Sequence, residues 1–402
     1  METLETSQEG RKPPKNRGAV VVALGLAQTF AWGSTYYLPA ILARPMAAEY
    51  GLGPSAVYAM FSATLLVSAF IGPVVGRRID SFGGRGVLVA SSLVLGLGLA
   101  LMACSWDVTS LTIAWLVLGV GMSMGLYEAA FSALTAAYGR ESRASITGIT
   151  LIAGFASTVG WPITGFLESA IGWRGACLGW AAVHLAVCAP LYLWMIPRRR
   201  IEAEEPQIAH DEPSPAPAPE LRTMVLLGFV FAATWFNSTA MAAHLPTLLQ
   251  MVGASALAAI AAASLVGPAQ VAARLVEYGF MRRLHPLHSA RFAALAHPAA
   301  ACILLVLGAP AAAAFTLIHG AGNGVLTIAK GTLPLALFGP QGYGLRQGWL
   351  AAPSRFAQAG APLAFGLVMD SLGAGALLAT AALGLAAYGA LVSLGKPGRV
   401  AL

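Results

Sequence analysis

Apolar residues run through this chain in long stretches, interrupted at short intervals by Gly, Pro or a cluster of charge. Twelve such stretches stand out, at 19–43, 54–76, 86–105, 109–137, 145–168, 174–196, 222–251, 256–279, 290–308, 311–337, 346–370 and 374–394. A hydrocarbon core about 30 Å thick is crossed by about 20 helical residues rising about 1.5 Å each. Each stretch is therefore long enough for one crossing, and the pattern predicts an all-α integral membrane protein of twelve transmembrane helices. Residues 197–221 break the rhythm. Pro197-Arg198-Arg199-Arg200 opens this segment, Glu202, Glu204 and Glu205 follow, and Pro213, Pro215, Pro217 and Pro219 alternate with small residues. Such a composition is solvated and partly extended. The predicted organisation is a polar N-terminus (1–18), a six-helix bundle (19–196), a linker (197–221), a second six-helix bundle (222–394) and a short polar C-terminus (395–402).

Composition agrees with lipid as the solvent. Charged residues make up 10% of the chain, against roughly 25% in soluble domains, and mean hydropathy is +0.71. The net charge of +7 does not point to nucleic acid, because the bases flank spans instead of forming a basic face with interleaved aromatics. With the N-terminus inside, only Arg44 and Arg174 fall in outer gaps, and Arg274, Lys330 and Arg355 lie within spans. Every other Lys and Arg falls in an inner segment, so both ends are placed in the cytoplasm of a cell with an inner membrane. The first stretch is too long for a signal-peptide core and is read as a retained span. Cys104, Cys177, Cys188 and Cys302 form no CxxC pair, so they indicate no zinc site or disulfide framework and read as inert core residues. Without a Walker motif, metal cluster or catalytic triad, nothing supports ATP-driven pumping, an enzyme or a bound cofactor.

The halves repeat each other at an offset near 200. Ser34-Thr35 before Leu38-Pro39 answers Ser238-Thr239 before Leu245-Pro246, and Gly72-Pro73 answers Gly267-Pro268. Gly119-x-Gly121 answers Gly320-x-Gly322, Tyr138-Gly139 answers Phe338-Gly339, and Gly160-x-Pro162 answers Gly360-x-Pro362. Duplicated six-span halves are the build of a carrier that rocks around a central site.

The gap after the second span reads Gly76-Arg77-Arg78-Ile79-Asp80-Ser81-Phe82-Gly83-Gly84-Arg85. It resembles the G-x-x-x-D-R/K-x-G-R/K-R/K signature of the major facilitator superfamily, with Gly76, Asp80, Gly83 and Arg85 matching and Ser81 and Gly84 departing. The resemblance implies two pseudo-symmetric bundles, and a gating role in which Asp80 latches near the start of span 11. Drug/proton antiporters of that family carry an arginine four residues before the Gly-x-Gly of span 4, where this chain has Trp115. Their Gly-Pro pair in span 5 is interrupted here as Gly160-Trp161-Pro162. Span 8, with Gly267-Pro268-Ala269-Gln270 and Arg274, is similar to the monocarboxylate-transporter branch, whose acid four residues before the arginine is replaced by Gln270. Glu277, one turn on, is the substitute.

Ionisable groups at membrane depth cost about 2.5–3.5 kcal/mol or more at mid-helix, so each needs a reason. Glu128 reads either as a proton site or as half of a structural pair with Arg143. Arg274 either binds a substrate carboxylate or pairs with Glu277. Lys330 and Arg355 either act inside the bundle or snorkel to the interface. His319, with Asn323 nearby, is a proton relay or a histidine satisfied by a carbonyl. Gln28, Trp32 and Tyr36 share a helical face that meets the cavity or merely packs, and Asn237 with Trp235 occupies the matching place in span 7. The expectation is a proton-coupled secondary transporter of a small organic anion such as a monocarboxylate. Arg274, Gln28, Tyr36, Asn237, His319 and Asn323 are its candidate substrate contacts, and Glu128, Glu277 and His319 its candidate proton sites. The alternatives are an efflux antiporter for a drug or toxic metabolite, and a membrane sensor that binds solute without moving it. Its partners are the solute, protons and the bilayer; the oligomeric state is not legible.

Overall fold

Hydrocarbon offers a backbone N–H no partner, so each apolar run must satisfy its own amides by coiling into helix. The computed structural model describes residues 17–197, 219–280 and 285–395, and they form helices with no strand among them. The N-terminal half comprises α1 (Arg17–Gly33), α2 (Pro39–Glu49), α3 (Pro54–Phe82), α4 (Gly84–Ala103), α5 (Val108–Gly125), α6 (Tyr127–Tyr138), α7 (Ser142–Ile152), α8 (Ala156–Val183) and α9 (Ala189–Met195). The C-terminal half comprises α10 (Pro219–Met251), α11 (Ala256–Ala263), α12 (Val266–Gly279), α13 (Pro286–Leu307), α14 (Ala312–Phe338), α15 (Tyr343–Leu372) and α16 (Ala376–Ser393). Within α8 the helical dihedrals lapse at Gly172, with φ of 73°. That glycine turns the chain from the fifth crossing into the sixth. Taken with this turn, the described helices make the twelve crossings of two six-helix bundles. Arg11, Lys12 and Lys15 of the N-terminus, the linker bases Arg198–Arg200, and Arg282, Arg283, Lys396 and Arg399 lie outside the described residues.

Four crossings are less regular than their hydropathy implies. The first was expected as one helix over 19–43. It breaks after Gly33, where Ser34 and Thr35 hydroxyls donate back to the Ala31 carbonyl at 3.3 and 2.6 Å. It resumes at Pro39, whose missing N–H costs nothing in a first turn. The break sits where α1 meets α8: a Cβ on Gly160 would lie 2.7 Å from the Gly33 Cα. The fourth crossing breaks at Leu126, which is extended with ψ of −170°. The eighth breaks between α11 and α12, and the sixth holds a π turn over His184–Cys188.

The glycine pairs show why the halves repeat. A Cβ on Gly119 would meet the Thr64 carbonyl of α3, and one on Gly121 would meet Leu95 of α4. In the other half, Gly320 faces Ala269 of α12 and Gly322 faces Ala296 of α13. Each pair wedges the fourth crossing of its half between the second and third, in the small-residue packing that membrane helices use. Gly139 and Gly339, with φ of 58° and 76°, end α6 and α14 alike. Of the cysteines, Cys177 and Cys188 are buried as expected, whereas Cys104 and Cys302 are exposed.

On the face opposite Asp80, Arg174 donates to Glu49 at 2.6 Å and to the Ser105 carbonyl at 2.7 Å, while the Trp173 indole donates to Glu49 at 2.6 Å. This clasp ties the ends of α2 and α4 to the turn inside α8. The two halves meet chiefly along α3 and α15, with α6 on α15 and α7 on α12 and α14. The α3–α15 seam runs from Gly76 against Gly344, through Gly72 against Gly348, to the Ser62 hydroxyl on the Ala359 carbonyl at 3.2 Å.

Candidate functional site

At mid-depth on this seam, Glu128 of α6 holds two cations of the other half. Lys330 Nζ of α14 lies 2.5 Å from one carboxylate oxygen, and a guanidinium nitrogen of Arg355 on α15 lies 3.2 Å from the other. Lys330 and Arg355 are only 3% and 2% exposed. Neither snorkels, and the partner of Glu128 is not Arg143. The break at Leu126 makes Glu128 a first-turn residue of α6, where the helix dipole favours a carboxylate. The triad holds two positive charges and one negative.

Aromatic rings surround it. Trp32 and Trp235 stack at 6.3 Å between ring centroids, one from each half, and Tyr127 lies 5.0 Å from Trp32. Lys330 Nζ sits 4.9 Å from the Trp235 ring centre and the Arg355 guanidinium 5.9 Å from that of Trp32. Tyr36, in the break of the first crossing, shares a hydrogen bond with Thr239 at 3.3 Å and accepts one from Gln358 at 3.3 Å. Gln358 in turn accepts from Arg355 at 3.3 Å. A narrow cavity between α3, α6 and α15 connects Glu128 and Arg355 with Gly76 and Gly344.

Arg274 does not pair with Glu277. It crosses the seam to donate to the Thr150 carbonyl at 2.9 Å, and it donates to Gln270 at 3.3 Å and to the Gly324 carbonyl at 3.4 Å. It is 4% exposed, and among the described residues no carboxylate lies within ion-pair distance of it. Glu277 accepts from Ser289 at 3.2 Å and lies in the field of Arg143.

The remaining candidates are scattered. Gln28 is fully buried in the N-terminal half, where its amide donates to the Gly125 carbonyl at 2.5 Å and caps the break of the fourth crossing. Asn237 donates to the Thr380 carbonyl at 3.0 Å, Asn323 donates to Ser238 at 2.9 Å, and His319 bonds His297 at 2.9 Å. These three lie inside the C-terminal half. Sequence reasoning passed over His297 and the cross-half partnership of Glu128. A polar residue at depth in the ninth apolar run was the available signal for the first.

At one end of the seam, Asp80 accepts hydrogen bonds from the Gly344 and Leu345 amides, both at 2.8 Å. These are unpaired first-turn donors of α15, so the carboxylate meets both the free N–H groups and the positive end of the dipole. Gly76 permits the approach, since a Cβ there would lie 1.9 Å from the Gly344 carbonyl oxygen. Gly83 ends α3 with φ of 81°, and Arg85 is half-buried while Arg77 and Arg78 are exposed. The departure at Gly84 has a steric cause: its Cβ would lie 2.0 Å from the Ala133 Cβ of α6. Restoring a base with Gly84→Arg is expected to destabilise the chain by about 1–3 kcal/mol, the usual cost of overpacking. A lowered unfolding midpoint in detergent would register this; an unchanged one would show that α4 shifts freely.

The family model described as Major Facilitator Superfamily matches residues 24–317. A curated relative, the 3-(3-hydroxy-phenyl)propionate transporter of Escherichia coli (strain K12), is 28% identical over 211 residues, which are 50% of this chain and 49% of that protein. The chain thus spans about half the length of that relative in the match. Among solved structures, the human organic anion transporter MFSD10 (TETRAN) is similar with a TM-score of 0.72 at 18% identity, covering 94% of this chain and 100% of that one. FucP in the outward conformation is similar with a TM-score of 0.73 at 13% identity, over 94% and 100% of the two chains. Twelve crossings in two glycine-wedged halves, a carboxylate bonded to the first turn of the eleventh, and a family match over most of the length agree: this multi-pass membrane chain belongs to the Major Facilitator Superfamily.

Proposed function

We propose that the chain is a proton-coupled secondary transporter of aryl-substituted carboxylates, working by alternating access with the Asp80 face toward the cytoplasm. The observation that carries this reading is the excess cation of the Glu128–Lys330–Arg355 triad, buried among rings on the seam between halves. A substrate carboxylate competes with Glu128 for Arg355, whose planar guanidinium suits a carboxylate bidentately. An aryl group attached to it meets Trp32, Trp235 and Tyr36, which offer π-faces at low entropic cost. Each partner of the competition sits on a different half, so substrate binding rewrites the contacts that hold the halves together. Arg274, reaching Thr150 across the seam, supplies a third cation between the halves. The E. coli relative is, by its name, a transporter of a hydroxyphenyl-substituted propionate, which supports the same class.

Counterflow in proteoliposomes tests the reading, with labelled 3-phenylpropionate against propionate and a cationic drug. Saturable exchange of the aryl acid is expected. Arg355→Gln is expected to weaken its half-saturation by roughly tenfold to a hundredfold, from about 1.5–3 kcal/mol for a hydrogen bond to a charged group. Exchange of the cation or of a neutral solute, with none of the aryl acid, would remove the reading.

A further inference from the structure

The N-terminal half has one continuous apolar core, but that of the C-terminal half is divided. One cluster gathers Ala240, Ala300 and Phe315, and the other gathers Ala233, Ala294 and Leu326. Between them lies a polar layer: Asn237 from α10, His297 from α13, His319 and Asn323 from α14, around a small cavity. Polar groups at this depth are expensive and mark pathways or relays. Two of the atoms are orphans: His297 Nε2 and Asn237 Oδ1 are buried with no hydrogen-bond partner among the described residues. His297 is 7% and His319 5% exposed.

We infer that the His297–His319 pair is the binding site of the coupled proton; this rests on the reading of the chain as a proton-coupled carrier. The two Nδ1 atoms are 2.9 Å apart, so one ring donates N–H and the other accepts. The neutral pair carries two ring protons in all. A third proton forms one new N–H bond at a free Nε2 and breaks none. The imidazolium so formed still donates through Nδ1 to its neighbour, now as a charge-assisted hydrogen bond. The pair therefore loads and unloads without losing its link.

No charged side chain lines the cavity from α10, α13, α14 or α16. The charged groups of the packed elements are engaged elsewhere: Lys330 with Glu128, Arg291 with the Leu391 carbonyl, Arg274 with Thr150, Glu277 with Ser289, Glu220 with Arg346, and Arg222 with the Ser393 carbonyl. The loaded charge is thus felt mainly through the polar chain that leaves the layer. One turn from His319, Asn323 donates to Ser238; the next residue, Thr239, shares a hydrogen bond with Tyr36; Gln358 donates to Tyr36 and accepts from Arg355. These contacts, joined along α14 between His319 and Asn323 and along α10 between Ser238 and Thr239, end at the seam triad and tie the layer mechanically to the cation that the substrate engages.

Two measurements on the full chain test this. In ¹⁵N-histidine spectra recorded from about pH 4 to pH 8, two buried rings are expected to take up a single shared proton together, and both signals should change in His319→Gln. Rings that keep neutral shifts across that range would overturn the assignment without reference to any substrate. In proteoliposomes, His297→Gln, His319→Gln and the double variant are expected to lose about tenfold of the accumulation driven per unit of pH gradient. Accumulation is read relative to the 3-phenylpropionate counterflow of the same variant, so that a general loss of transport cancels and only the loss of coupling remains. Full gradient-driven accumulation in the double variant would also overturn the assignment. Absence of counterflow in the parent chain would instead strike the substrate reading, leaving the spectra to decide on the pair.

Discussion

Glu128→Gln is expected to destabilise the chain by about 3–5 kcal/mol, the cost of leaving buried charges without their partner. Lys330 and Arg355 would then share a buried site with no anion, at 3% and 2% exposure. Their like charges would repel each other within the C-terminal half, and the attraction across the seam would be lost, because Glu128 belongs to α6 and the cations to α14 and α15. The second variant discriminates. Glu128→Gln combined with Lys330→Met removes one charge of each sign and leaves the same net charge as the native triad. It is expected to recover most of the loss, since removing both members of a buried pair leaves neither charge without its partner. Thermal unfolding in detergent, followed by size-exclusion chromatography of the heated samples, reads both. If Glu128→Gln alone unfolds at the parent's temperature, the triad contributes nothing to stability. The proposed role of Glu128 as a counter-ion that substrate displaces would fall with it.

Much of the fold was legible because lipid imposes a strict rule on backbone amides. Twelve apolar runs translated into twelve crossings, and matched glycines into matched helix packing, since hydropathy and small residues act locally. The breaks at Gly33–Pro39, Leu126 and Ser264–Leu265 were not legible. Apolar residues continue across them, so hydropathy reports the solvent but not the continuity of the helix. What stabilises a break is a contact from elsewhere, such as Gln28 on the Gly125 carbonyl, 97 residues away in sequence. The same limit hid the triad, whose members are 202 and 227 residues apart. A span that is apolar all round does not reveal which side faces the seam, so Lys330 and Arg355 looked equally able to snorkel. Gln28, Tyr36, Arg274, Asn237, His319 and Asn323 read as one group in the sequence, as polar residues at depth with Arg274 set apart by the resemblance of its span. In the structure they divide among a helix break, the seam and the layer inside the C-terminal half.

Asp80→Asn is expected to shift the balance between the two gating states by about tenfold to a hundredfold toward the one in which α3 and α15 separate. The carboxylate accepts from two first-turn amides of α15, both at 2.8 Å. An asparagine keeps one oxygen as acceptor and turns an amide N–H₂ toward the other donor. It therefore loses a charge-assisted hydrogen bond to a helix N-terminus, about 1.5–3 kcal/mol with the charge–dipole attraction included. Every 1.4 kcal/mol or so is a factor of ten in the equilibrium. The close fit at Gly76 against Gly344 leaves no side chain to take over, so the loss is felt in full at this end of the seam. Spin labels at Arg77→Cys and Gln341→Cys, both exposed positions, report the separation once the exposed Cys104 and Cys302 have been replaced by serine. A longer inter-label distance should gain population in Asp80→Asn, whereas Asp80→Glu, which keeps the charge, should move it less. Identical distance distributions in all three would mean that the α15 amides are satisfied equally well without a charge, and that the gating free energy resides elsewhere on the seam.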